Sequence, residues 1–233
     1  MKVGIIQSCY IPWRGYFDFI DEVDLFIFHD DLQYTKGNWR NRNQIKTTQG
    51  LTWLTVPVHY DCVDQTIEDT TVDYTQAWQK KHLNQLRANY GKSPYWSEYA
   101  PAFEALITPH YLSISALNVA ITKWVAEVLA VRTPLQMSKE FAPTGSKTER
   151  LIGILKKAGA NSYLSGPTAK GYLDHNLFKE NNIRLEYKSY EYPPYAQMRD
   201  DFIGNVTVLD LLFNCGPDSR KYLKSLAPNE VVT

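Results

Sequence analysis

The chain has 233 residues, 44% of them hydrophobic and 21% charged, an ordinary globular composition that excludes disordered and fibrous classes and suits one domain with a full core. Lysine plus arginine equals aspartate plus glutamate at 25 each, so no global field draws the protein onto nucleic acid or membrane, and any basic site must be local. Cys9, Cys62 and Cys215 are odd in number, widely separated and in no CxxC pair; they form neither a disulfide framework nor a zinc knuckle and point to a reducing cytoplasm. No run approaches the roughly 18 apolar residues of a membrane span, and the opening Met1-Lys2-Val3-Gly4-Ile5-Ile6 is too short for a signal segment. The unusual feature is aromatic: 16 Tyr and 6 Trp, many in Gly/Pro-containing segments. Their ring faces and hydrogen-bonding tips suit sugars and nucleobases.

In chain order, residues 3–7 and 24–28 are short β-branched or aromatic runs bounded by turn signals, with a helix from about Gly15 to Glu22 between them. The alternation from Arg42 to Lys46, the turn Thr48-Gln49-Gly50 and the run 51–58 read as a hairpin, with Arg42, Gln44 and Lys46 on one face and Asn43 and Ile45 on the other. Helical stripes follow from Thr75 to Tyr90 and from about Ser113 to Val131, so residues 75–131 are expected to form a helical insertion or lobe. Ser146 and Glu149 make a capping box for a helix that stops at Gly159. A strand at Ser162-Tyr163-Leu164, a helix near Asp174 to Asn181, a strand from Ile183 to Ser189 and a helix capped by Thr207 and Asp210 complete the chain. Strands alternating with helices predict an α/β fold, a mainly parallel, Rossmann-like sheet flanked by helices in a single domain.

Ligands of such sheets bind at the carboxyl ends of strands, which singles out three loops. The first, Gln7 to Tyr16, carries Gln7, Tyr10 and Trp13, with a rigid packing turn as its alternative reading. The second mixes Asp30, Asp31, Gln33, Tyr34, Lys36, Trp39, Arg40, Asn41, Arg42 and Lys46: guanidinium forks for phosphate or carboxylate beside ring faces for a base or sugar. Its adjacent carboxylates leave Mg²⁺ binding, capture of an amine and general-base work all open. The third, Ser165, Gly166 and Lys170 within Ser165 to Tyr172, places small residues and a cation after a strand, which equally describes an ordinary βα turn. His59, closing the 51–58 strand, is the candidate base, a role worth roughly 10²–10⁴ in rate. His82, four residues after Trp78, reads as a core histidine. The histidines and cysteines have no metal-ligand spacing, Gly145-Ser146-Lys147-Thr148 lacks the glycines of a P-loop, and no GxSxG or SxxK nucleophile appears.

The segments Tyr10-Ile11-Pro12-Trp13-Arg14-Gly15-Tyr16-Phe17 with Gln7, Asp30-Asp31-Leu32-Gln33-Tyr34, Trp39-Arg40-Asn41-Arg42, Trp53 to Val58, Tyr163 to Pro167 and Leu211 to Pro217 resemble the WbqC-like family from about Val3 to Leu223. The chain departs from it at Ser8-Cys9, where proline usually follows the Gln, and at Tyr195-Ala196-Gln197, where Tyr-Pro-Gln is more usual. The resemblance implies bacterial O-antigen and related polysaccharide biosynthesis, and transfer of glycine to an amine, with glycyl-tRNA as the implicated donor. Under it Lys36 to Lys46 hold the phosphates and nucleoside of the donor or of a nucleotide-linked amino sugar, and Asp30 or Asp31 holds an ammonium. His59 takes the proton, and Gln7 or Asn214 steadies the ester carbonyl. No cofactor is required by that mechanism, because an aminoacyl ester is already activated. The alternatives are another acyl- or nucleotidyl-type transferase on nucleotide-linked amino sugars and a non-catalytic carbohydrate-binding protein.

Overall fold

The computed structural model describes residues 1–199 and 201–232. Six strands form one sheet in the order β5 (Leu135–Met137), β2 (Leu25–Phe28), β1 (Lys2–Ile6), β6 (Ser162–Ser165), β7 (Arg184–Tyr187) and β8 (Glu230–Val231). All neighbours are parallel except the β7–β8 pair at the edge, so the expected α/β class holds. Alternation along β1 and β2 sorts side chains between two cores. Val3, Ile5, Leu25 and Ile27 face α5 (Lys147–Lys157) and α6 (His175–Glu180), while Phe26 and Phe28 face α1 (Arg14–Asp21) and the central helices. Gly4 lets α1 sit close on the sheet: a Cβ there would lie 2.3 Å from the Phe19 ring.

The hairpin forms as expected from β3 (Arg42–Thr47) and β4 (Gly50–Thr55), with Asn43 opposite Leu54 and Ile45 opposite Thr52. The middle of the chain is helical, as α2 (Trp78–Tyr90), α3 (Trp96–Ile107) and α4 (Ile114–Val128). Their apolar faces join those of the hairpin, α1 and β2 in one continuous hydrophobic cluster. Helix α3 was not foreseen. Pro101 lies within it, and an internal proline with Gly91 and Pro94 just upstream reads as loop until packing against Phe213 and α4 overrides it. The short edge strands β5 and β8 were likewise missed.

Two expected caps differ. Ser146 stands at the start of α5 but makes no capping bond. Thr207 Oγ1 does cap α7 (Val208–Cys215), accepting from the Leu209 amide at 3.3 Å. The Asp210 carboxylate instead lies buried, accepting from Tyr90 (2.9 Å), Tyr195 (2.8 Å) and Gln197 (2.8 Å), and burial raises its pKa. Among the described residues no helix is long and apolar enough to cross a membrane.

From β1 the chain moves through α1 to β2 on one side, whereas β6 lies on the other side of β1 and leads on to β7. The strand order therefore reverses between β1 and β6, and their loops separate at the carboxyl edge, where α/β sheets accommodate ligands.

Candidate functional site

A cavity of about 570 Å³ opens at that switch point. Gln7 follows β1, His29 follows β2 and Ser165 ends β6, and all three line it. Of the residues expected from sequence, Trp13, Trp39, Arg40 and Gly166 line it too.

The loop after β1 is held by its neighbours. Ile11 adopts φ of +42° while fully buried, a strained conformation for a β-branched residue. Asn43 Nδ2 secures it, donating to the carbonyls of Ile11 (2.6 Å) and Tyr10 (3.3 Å). Trp13 then lies across the start of α1, where a Cβ at Gly15 would meet its ring at 2.4 Å, and it contacts the rings of Tyr190 (5.3 Å) and Tyr192 (5.5 Å). Arg40 lines the cavity but spends one arm as a clamp: Nη1 donates to the Gln7 (3.1 Å) and Ser8 (2.9 Å) carbonyls and sits 3.0 Å from Cys9 Sγ.

Asp30 and Asp31, in the turn that follows β2, meet different partners. Asp30 is fully buried. Its carboxylate accepts from the Ser8 amide (2.7 Å) and Ser115 Oγ (2.5 Å), and burial raises its pKa, so it fastens β1 to α4 and has no face toward ligand. Asp31 pairs with Arg150 Nη2 and accepts from Ser138 Oγ. Beside that pair His29 Nε2 accepts from Arg150 Nε at 3.3 Å. Burial, reinforced by Arg150, outweighs Asp31 at 3.8 Å and pushes His29 down to about 4. The ring is therefore neutral at physiological pH and, with Nε2 accepting, carries its proton on Nδ1.

The other expected residues do not line this cavity, and most have partners within the chain. Gln33 Nε2 donates to the Val63 carbonyl (2.6 Å), Tyr34 is buried against Tyr60, and the Lys36 ammonium sits 4.5 Å above the Tyr60 ring. Asn41 Nδ2 donates to the Val56 carbonyl (2.8 Å), while Arg42 bonds the Gly37 carbonyl and stacks over Trp53 at 4.2 Å. Lys46, expected beside Arg42 on an open hairpin face, is 4% exposed. Its ammonium donates to Gln197 Oε1 (2.9 Å) and to the Arg199 (3.0 Å) and Asp201 carbonyls. Lys170 turns to the sheet edge and pairs with Glu230. Asn214 Nδ2 donates to the Asp210 carbonyl (2.7 Å) within α7. His59 stands outside the cavity, 55% exposed, with Asp73 at 4.0 Å.

Tyr10 is fully buried, its hydroxyl 2.9 Å from His82 Nδ1. His82 is the core histidine its helical spacing suggested; its Nε2 lies 3.1 Å from the Thr55 carbonyl, and burial lowers its pKa to about 4. The folded value lies below the ordinary 6.5, so as pH falls the unfolded chain takes up the proton first. Stability then declines between about pH 6.5 and 4. Denaturant unfolding of the native chain and a His82→Gln variant at pH 7 and 4 should show the native chain losing about 2–3 kcal/mol more on acidification. Equal losses would contradict a neutral buried ring.

The structure adds residues that sequence reasoning passed over: His29, Lys147, Arg150, Tyr163 and Tyr190 all line the cavity. His29 was legible, since it directly follows β2 and so meets the same edge rule that drew attention to Asp30. Lys147, dismissed along with the P-loop, opens α5 at φ of +48°. Arg150 and Tyr190 carried no local signal. Among the described residues no group of three or more His, Cys, Asp or Glu could hold a metal ion.

No solved structure matches this chain. It is 42% identical over 226 residues, 96% of this chain and 97% of the other, to the uncharacterized protein Rv1507c of Mycobacterium tuberculosis. The sequence profile of the WbqC-like protein family matches residues 7–222, which brings the loops after β1, β2 and β6 within a single match, and the chain belongs to that family.

Proposed function

We propose that the protein is a transferase that places an aminoacyl group, glycyl in the leading case, on the amine of an amino sugar used in O-antigen or related polysaccharide assembly, taking it from aminoacyl-tRNA in the cytoplasm. The observation that carries this reading is a cavity at the strand switch point that brings His29, Gln7, Lys147 and Arg150 together with the faces of Trp13 and Trp39.

The donor ester is already activated, so the reaction needs orientation, carbonyl polarisation and exclusion of water more than a covalent nucleophile. The amine nitrogen attacks the ester carbonyl carbon, the C–N bond forms, the C–O bond to ribose breaks, and the departing ribose oxygen takes the proton released by the amine. His29 Nδ1–H and the Gln7 amide are the neutral donors available to the carbonyl oxygen as it gains charge. Lys147 and Arg150 answer phosphate, and Trp13 and Trp39 offer their faces to a sugar or base ring. The imidazole assigned to the chemistry thus becomes His29 rather than His59, as a hydrogen-bond donor rather than a base.

The test is mass spectrometry of the purified protein with glycyl-tRNA and a panel of nucleotide-linked amino sugars and simple amines. A product heavier by one glycyl residue, absent with uncharged tRNA, supports the reading. No product from any amine overturns it, and sugar binding without product favours a carbohydrate-binding role.

A further inference from the structure

The large cavity has a smaller companion. A second chamber of about 350 Å³ shares Trp13, Tyr16 and Trp39 with it and is closed by Cys9, Pro12, Asn43 and Asn205. The two differ sharply in charge. Arg40, Lys147 and Arg150 all line the large chamber, and among the described residues no charged side chain lines the small one. Arg150 is paired with Asp31 and Arg40 lies beside buried Asp30, while Lys147 is exposed at the start of α5.

We propose that the two chambers together bind a nucleoside diphosphate, with the base and ribose in the small aromatic chamber and the diphosphate in the large basic one. This deepens the proposed function, on which it rests for the view that the acceptor sugar arrives on that carrier. Three observations support the assignment. Guanidinium and ammonium groups on the wall of the large chamber suit the oxygens of a diphosphate. The large chamber lies at the switch point between β1 and β6, where the backbone leaves a crevice for such ligands, and the small one adjoins it through Trp13, Tyr16 and Trp39. The shared wall is made of flat rings set in place beforehand: Trp13 is held by Tyr190, Tyr192 and the bare Cα of Gly15, and Trp39 packs on Trp53 at 5.4 Å. Faces of that kind accept any base by stacking, and rigidity lowers the ordering cost of binding. The amide of Asn43 is committed to Tyr10, Ile11 and Gln44, which leaves Asn205 as the chamber's amide for a base edge.

Isothermal titration of the native chain with UDP, ADP, GDP, inorganic pyrophosphate, geranyl diphosphate and a CCA trinucleotide tests this, followed by the Trp39→Ala and Lys147→Ala variants. Trp39 is 45% exposed and Lys147 is exposed, so both variants should fold, which a thermal melt checks. At least one nucleoside diphosphate should bind tenfold or more tighter than pyrophosphate, and Trp39→Ala should erase that advantage. Lys147→Ala should weaken nucleoside diphosphate and pyrophosphate alike. Pyrophosphate binding as tightly as every nucleoside diphosphate, or tightest binding by geranyl diphosphate or the trinucleotide, would overturn the proposal. Binding is read without transfer, so glycyl transfer with no nucleotide binding sinks only this inference, and nucleotide binding with no transfer sinks only the proposed reaction.

Discussion

Replacing Arg150 by Met should lower kcat/KM about 10²-fold while preserving most of the packing of the long side chain. Arg150 sits where three functions meet: it lines the cavity, pairs with Asp31 and donates to His29 Nε2 at 3.3 Å. Losing a charged donor is worth about 1.5–3 kcal/mol, which converts to one to two powers of ten in rate, and under the proposed reaction an unanswered phosphate would add to that. The same change should be visible without substrate. In the native chain burial and the Arg150 charge together hold His29 near 4 against the opposing pull of Asp31. Without Arg150 only burial holds it down and Asp31 acts unopposed, so the ring should titrate closer to its ordinary 6.5. An acid limb should then enter the activity profile of the variant well above pH 4. Following the His29 imidazole C–H signal by NMR across pH 3–8 measures this directly, and an unchanged titration would remove Arg150 from control of the ring.

The largest loss of stability is expected from Asp18→Ala, about 3–4 kcal/mol. Asp18 lies on α1 with no solvent exposure, and its Oδ2 accepts from Lys188 Nζ (2.6 Å), Tyr192 Oη (2.9 Å) and the Ser225 amide (3.0 Å). Lys188 is itself 3% exposed, and among the described residues its remaining ion pair once Asp18 is gone is with Glu22 at 2.9 Å. Breaking such a pair from one side leaves a buried charge poorly compensated, which costs more than the intact pair contributes. For a chain of this size the loss should lower Tm by roughly 10 °C, read by calorimetry. Asp18→Asn keeps an acceptor for Tyr192 and Ser225 and should fall between the two. A shift of under 2 °C for Asp18→Ala would show that the network carries little stability. Tyr192 packs on Trp13 and beneath Arg14, so the substitution should also loosen the aromatic wall of the cavity.

Much of this architecture was legible in one dimension. The β-branched and aromatic runs at 3–7 and 24–28, the hairpin pivoting on Gly50, the stripes of α2 and α4 and the stop at Gly159 all follow from periodicity and turn chemistry, which act over a few residues. Gln7, Ser165 and Gly166, singled out by the edge rule for parallel strands, line the cavity. Periodicity failed where a proline lay inside a helix, at α3, and where strands were only two or three residues long, at β5 and β8.

What sequence could not rank was the fate of each charge. Asp30, Lys46, Lys170 and Arg42 all resembled ligand contacts, yet each meets a partner within the chain: Ser115, Gln197 with the Arg199 carbonyl, Glu230 at the sheet edge, and Trp53. Conversely Arg150 and Tyr190, more than a hundred residues from the loop that drew first attention, complete the cavity. The longer strands and helices other than α3, the α/β class and family membership were written in the local order of residues. Which polar groups stay available to a ligand was decided by packing, because a charged group's partner is set by long-range proximity. Burial then determines whether a group such as His29 is charged at all.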